Sequence, residues 1–279
     1  MKIAVVGMGV VGTHMAADIE RAGNECVKYD IAVRPGVTWA TREQVNACDA
    51  AFVCVSTPPA ADGSCDLRAV DEVFAWLRVP VAIIRSTIPP GTTDGLWQDY
   101  GTTVAFSPEF IGEGVNAPYN AMRQPPFLIV GGRPSARQAA MQVYAHLYNA
   151  ECAFIGMSAV SAEVAKYTEN YFLATKVTLF NEVYDICQKV GADFSDVVAG
   201  VTSDYRIGRS HTHVYPDNRG WGGRCLPKDT AALLALVGAE TAPLLAAVRA
   251  VNARQRGELA REAGLPGAGS PPAGGRKHG

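Results

Sequence analysis

Two hydrophobic rhythms run through the first half of the chain. Lys2 to Val6 (KIAVV) is a short apolar run closed by Gly7. Val10 to Ala22 then carries apolar residues at Val11, Met15, Ala16 and Ile19, the spacing of one helical face, and stops at Gly23. Glu25 to Asp30 alternates as a strand. Asp49 to Val55 is nearly continuous in apolar residues, as a strand buried on both faces requires. A helix is predicted over Leu67 to Leu77 and a strand over Pro80 to Ile84. Further strands fall at Val104 to Phe106 and Phe127 to Val130, a helix at Ala136 to Tyr148, and a last strand at Ala153 to Ile155. Strands alternating with helices predict a parallel, doubly wound sheet.

The rhythm changes after Gly156. No proline or glycine interrupts Ser158 to Val190, and Val160, Val164, Tyr167, Tyr171, Ala174 and Leu179 recur at helical spacing. The prediction is one long helix, about 50 Å at 1.5 Å per residue. A helix follows over Phe194 to Val201, then a polar and aromatic loop from Thr202 to Arg224. Two more helices are predicted over Lys228 to Val237 and Ala242 to Ala263. The segment Gly264 to Gly279 is rich in glycine and proline and reads as disordered. The expected fold class is α/β: a doubly wound Rossmann domain (1–156), then a long central helix and a small all-helical domain (157–263), then a tail (264–279).

Composition narrows the function. The 279 residues carry a formal net charge of -2 and no long basic run, which argues against nucleic acid and membrane surfaces as partners. Neither a signal peptide nor about 18 consecutive apolar residues is found, so a cytoplasmic location is expected. The seven cysteines form no CxxC pair, which argues against a zinc ribbon or a thioredoxin-like site. His211 and His213 lack an evident third ligand and read as solvated loop residues, so no metal is expected.

Gly7-Met8-Gly9-Val10-Val11-Gly12 fits G-x-G-x-x-G between a strand and a helix. The first glycine permits the tight turn, the second the approach of pyrophosphate, and the third close helix–strand packing. Phosphates would meet backbone N–H groups at the helix N-terminus, including those of Val10 and Val11. Asp30 ends the second strand 18 positions after Gly12. Its carboxylate would accept ribose hydroxyls and repel a 2′-phosphate, which favours NAD over NADP. Arg34 nearby is the residue that would tolerate NADP.

Five further segments stand in a telling order: Ser86 to Thr93 (STIPPGTT), Ser107 to Glu113 (SPEFIGE), Lys166 with Asn170, Asp204 to Gly208 (DYRIG), and Gly222 to Asp229 (GGRCLPKD). With them the chain resembles the UDP-glucose/GDP-mannose 6-dehydrogenase family over residues 1 to about 250. The resemblance implies NAD-dependent oxidation of a sugar C6 alcohol to a carboxylate in two steps, through a thiohemiacetal and a thioester on Cys225. It implies that Lys166 and Asn170 stabilise an oxyanion and orient water. It places Asp229 and Glu109 in proton and water handling, and Thr87 beside catalytic water and the cofactor.

Thr57 and Glu113 are implied as cofactor contacts, and Phe110, Ile111, Arg206, Trp221, Gly222 and Gly223 as substrate contacts. The implied substrate is a nucleotide sugar and the implied assembly a homodimer. Two departures stand out: Gly112 occupies a position where the family often has arginine, and Arg224 one where a small residue usually precedes the cysteine. A Gly/Pro stretch stands where the family usually begins a third, nucleotide-binding domain. The alternatives are therefore a smaller sugar or nucleoside alcohol, a single-step hydroxyacid-type dehydrogenase, or a non-catalytic partner of a full-length dehydrogenase.

Overall fold

In a computed structural model, residues 1–110 and 125–257 are described. Backbone contacts divide them into two compact units, Met1–Thr168 and the residues from Glu169 onward. The first unit holds a seven-stranded sheet in the order β2-β1-β3-β4-β5-β6-β7. The strands are β1 (Lys2–Val6), β2 (Glu25–Tyr29), β3 (Ala50–Val53), β4 (Ala82–Ile84), β5 (Val104–Phe106), β6 (Phe127–Gly131) and β7 (Ala153–Met157). Successive side chains take opposite faces. Ala4 and Val6 pack in one apolar cluster and Ile3 and Val5 in the other, so helices cover both faces.

The expected all-parallel sheet needs one correction. β6 meets β5 antiparallel through Phe106 and Gly131, while β6 and β7 are parallel. The chain order reverses about β1, between β2 and β3, which opens the crevice at the strand C-termini where such sheets bind ligands.

α1 (Val10–Arg21) buries Gly12, Met15, Ala16 and Ile19, the face its spacing predicts. Side chains the size of Met15 and Ile19 contribute about 1.5–3 kcal/mol each on full burial. α3 (Arg68–Trp76) and α5 (Pro134–Ala145) match predicted helices to within three residues. Two short helices were not predicted: α2 (Arg42–Asn46), which Thr41 and Gln44 close with a capping box, and α4 (Thr92–Tyr100).

The long helix is α6 (Ala159–Val190), 32 residues. Its first turns belong to the first unit and the rest to the second. The second unit adds α7 (Phe194–Thr202), which Asp193 caps, then α8 (Cys225–Thr241) and α9 (Pro243–Gln255). α8 breaks at Gly238, whose φ of 77° leaves the helical region, and this is where the predicted helix stops. The predicted start at Lys228 is wrong by one turn. Pro227 suggests a loop, yet proline is tolerated in a first helical turn, where its missing N–H has no intrahelical acceptor. The helix therefore begins at Cys225. The predicted continuation of the last helix beyond 257 and the tail at 264–279 lie outside the described residues.

Candidate active site

The glycine turn is built by close approach. Gly7 has φ of 93°, and a Cβ there would lie 2.8 Å from the Cys54 carbonyl. A Cβ on Gly12 would stand 1.9 Å from the Gly7 oxygen. Gly9 caps α1 without a side chain, no acidic residue occupies the first turn, and Val10 is exposed. An uncapped helix N-terminus beside an open glycine fits a pyrophosphate.

Asp30 and Arg34 hold the two peptide groups that flank the Met8 Cα in this turn. Asp30 accepts the Met8 N–H at 2.7 Å and the Ala32 N–H at 2.8 Å. Arg34 donates to the Met8 carbonyl at 2.7 Å and lies over the Trp39 ring at 5.5 Å. Both residues thus shape the glycine turn.

At the end of β4 the chain is held by its own polar groups. The Thr57 hydroxyl donates to the Thr87 carbonyl at 2.8 Å, and Ser86 Oγ donates to Val55 O at 2.6 Å. Glu163, fully buried on α6, accepts the N–H groups of Gly91 at 2.6 Å and Thr93 at 2.9 Å, and the Thr93 hydroxyl at 2.6 Å. Burial pushes its carboxyl above the usual range, and these hydrogen bonds pull the other way.

Glu109 pairs with buried Arg85 and also accepts the Phe110 N–H at 2.8 Å. Arg85 donates further to Ser107 Oγ at 3.2 Å and to the Tyr144 hydroxyl at 2.9 Å. Burial is the largest single influence and opposes the guanidinium charge, but Glu109 together with Tyr144, Tyr148 and Cys54 outweighs it, so the proton is held more tightly than usual. Lys166, buried rather than on the surface, sets Nζ 4.8 Å from the Phe110 ring centre. Ile111, Gly112 and Glu113 lie outside the described residues.

In the second unit Cys225 is exposed, and it occupies the first position of α8 rather than a loop. Asp229, one turn on, is 1% exposed. The amide of Asn170 donates to one of its oxygens, and Lys228 Nζ lies 2.5 Å from the other. Asn170 follows Lys166 by one turn of α6. Six other cysteines are partly or fully buried. Burial raises the thiol of Cys54 to about 12 and those of Cys26 and Cys48 to about 11.

Trp221 is a core residue of this unit. Its indole donates to Thr178 Oγ at 2.8 Å, and the side chain packs with Ala174 and Val248. Gly222 faces the Arg256 guanidinium, and Gly223 has φ of 78°. Arg206 is exposed and pairs with Asp204 at 2.5 Å. Lys176 is buried and donates to the carbonyls of Ile207 and Gly208 at 2.8 and 2.9 Å, fixing the end of the DYRIG segment. His211 has φ of 62°, and its affinity for a proton is lowered by burial and then by Lys176, against Glu169. The His213 ring packs edge-on against Tyr215. Among the described residues no group of three or more His, Cys, Asp or Glu side chains is placed to hold a metal.

Sequence reasoning missed Arg85, Glu163 and Lys176. Their partners lie 22 to 72 residues away, so no local pattern marks them.

A dinucleotide cradle on a doubly wound sheet, continued by a long helix into a helical unit, defines the class of two-unit Rossmann proteins. The chain belongs to the UDP-glucose/GDP-mannose dehydrogenase family: residues 33–149 match its NAD binding domain and residues 160–254 its central domain. Its cofactor is accordingly NAD, and the match begins beyond the glycine turn, whose geometry agrees independently.

A UDP-glucose 6-dehydrogenase of Pseudomonas aeruginosa is 31% identical across 92% of this chain and 66% of its own. Another, of Rickettsia prowazekii, is 36% identical across 68% of this chain and 45% of its own. The solved UDP-glucose dehydrogenase of Pyrobaculum islandicum has a TM-score of 0.77 at 29% identity, over 94% of this chain and 69% of that one. The chain spans less than two thirds of the length of the curated relatives just described. The fold is shared more widely. A Mycobacterium tuberculosis 3-hydroxyisobutyrate dehydrogenase has a TM-score of 0.68 at 20% identity over 94% of both chains.

Proposed function

We propose that the chain is an NAD-dependent dehydrogenase that oxidises the C6 alcohol of a nucleotide sugar to the carboxylate through Cys225. The observation that carries this reading is the exposed Cys225 at the N-terminus of α8, one turn before a buried Asp229 that Asn170 and Lys228 hold. NAD supplies the acceptor for two hydrides, one per oxidation.

The chain's own residues do the rest. The glycine turn and the start of α1 bind the pyrophosphate, and Asp30 meets the ribose. The first oxidation removes a hydride from C6 and a proton from its oxygen, which leaves an aldehyde. An aldehyde cannot yield a second hydride until a nucleophile adds. Cys225 Sγ supplies it, and a helix N-terminus favours the thiolate that adds fastest.

The oxygen of the resulting thiohemiacetal carries developing negative charge, which the Lys166 ammonium and the Asn170 amide stabilise. Hydride loss gives the thioester. Water then attacks the thioester carbon, the C–S bond breaks, and the thiolate is released with the carboxylate. Asp229 and Glu109 are carboxylates of the kind that orient that water and take its proton. Glu109 stands in an ion pair with Arg85. Purified protein is expected to form two NADH per carboxylate when offered UDP-glucose, GDP-mannose or UDP-hexosamines. One NADH per product would instead mark a single-step dehydrogenase, and no NADH from any of them would refute the reading.

The acting assembly is proposed to be a homodimer formed along α6. The helix exposes Phe172, Leu179 and Ile186 at seven-residue intervals, with Val160, Val164 and Val190 beyond them. Such a stripe on a helix calls for a partner. Leu179→Glu, present twice in a dimer, is expected to cost about 3–6 kcal/mol, or roughly 10²–10⁴ in dimer affinity. Sedimentation equilibrium should find the wild type dimeric and the variant monomeric at micromolar concentration. A monomeric wild type would end the dimer proposal. Among the described residues no helix is long and apolar enough to cross a membrane.

A further inference from the structure

Glu163 is a fully buried carboxylate on α6, and the proposed reaction does not use it. Its three donors are the Gly91 and Thr93 N–H groups and the Thr93 hydroxyl. They form the N-terminus of α4, whose cap residue Gly91 offers no side chain of its own. A side chain 70 residues away therefore caps this helix. The segment between β4 and α4 is the one that carries Thr87. Thr57 ties its near end, through the Thr87 carbonyl, and Thr92 closes onto Pro89 O at 2.6 Å. Glu163 ties its far end. Glu163 also stands three residues before Lys166 on α6, a spacing that puts the two on neighbouring positions of one helical side.

We infer that Glu163 is a positioning residue: its carboxylate locks the Thr87 turn to the turn of α6 that carries Lys166. This rests on the dehydrogenase reading, in which Thr87 and Lys166 act on one reacting centre. Three charge-assisted hydrogen bonds, two of them to backbone, hold a geometry more narrowly than apolar packing would. The glycine turn that binds pyrophosphate makes none of these contacts. Loosening the lock therefore misplaces reacting groups and leaves the main cofactor grip in place.

The test is kinetic. Glu163→Gln keeps one acceptor oxygen but turns an NH2 toward the donors. It is expected to lower kcat about 10- to 100-fold, the scale of an ångström misplacement, with KM for NAD changed by less than about threefold. Thr93→Val removes only the hydroxyl donor and is expected to lower kcat about fivefold. Because both act on one lock, the double variant should fall no lower than Glu163→Gln alone. Thermal melts and circular dichroism of each variant identify loss of folding.

Wild-type kcat in folded Glu163→Gln, or full additivity of the two changes, would overturn the inference. If Glu163→Gln fails to fold, Thr93→Val decides, and wild-type kcat there overturns it. A wild-type chain that forms no NADH overturns the dehydrogenase reading and this role together. An active wild type with unaffected variants overturns this role alone.

Discussion

Cys225→Ala is expected to abolish carboxylate formation, lowering net turnover by at least about 10⁴-fold, the scale on which loss of an enzymic nucleophile is felt. The cause is chemical. The first oxidation needs no sulfur, but the aldehyde it gives has no hydride to release until a nucleophile adds to its carbon. Alanine supplies none, and hydration of the aldehyde by water is a slower substitute. Because Cys225 is exposed and begins a helix, its loss should change stability by less than about 0.5 kcal/mol, so the effect reads on chemistry. The measurement is the ratio of NADH to carboxylate under single-turnover conditions, with NAD affinity by calorimetry as control. Undiminished two-step turnover in the variant would remove the thioester from the mechanism.

Gly12→Ala is expected to lower NAD affinity at least about 100-fold and to cost about 3 kcal/mol of stability, the upper end of the usual range for an overpacked buried site. The added methyl would stand 1.9 Å from the Gly7 carbonyl oxygen, and the nearby Val5 side chain leaves no room at 3.3 Å. The atom in the way is backbone, so no side-chain rotation relieves it. α1 must withdraw from β1, taking its N-terminal N–H groups away from the phosphate position and opening the packing of Met15 and Ile19. Gly200 is the useful comparison. It sits in α7 with nothing within 4 Å of its would-be Cβ, so alanine there should stabilise by about 1 kcal/mol. Calorimetric titration with NAD and thermal melts of both variants check the pair. Wild-type affinity in Gly12→Ala would mean the turn holds no pyrophosphate.

The two variants also mark how far the amino-acid sequence reveals this protein. The glycine turn, the sheet strands and α6 were legible because each is set by residues close together in sequence: apolar runs, helical spacing, a glycine where a Cβ cannot fit. The Gly222 to Asp229 motif was legible as a motif, but its geometry was not, because Pro227 disguises a first helical turn as a loop.

α4 escaped for a different reason. Its first turn has a glycine cap, and its capping group arrives from Glu163 on another helix. Strand direction at β6 escaped because an apolar run of five reads the same in either sense. The pairing of Glu109 with Arg85, and of Asp229 with Lys228 and Asn170, shows which charges share a site. Only the second of these holds a neighbour in sequence.

Asn252, near the end of α9, carries a consequence for how the protein is cut, fused or handled. Its side chain accepts the Trp221 N–H at 2.8 Å and donates to the Trp221 carbonyl at 3.0 Å, standing in for the strand that this stretch of backbone lacks. Gly220, beside it, has no room for a Cβ, which would meet the Asn252 oxygen at 2.5 Å. The three residues that lead into Cys225 follow directly. A protease cut, a premature stop or a fusion junction ahead of Asn252 would therefore leave the thiol motif intact in the amino-acid sequence and without its mooring in space.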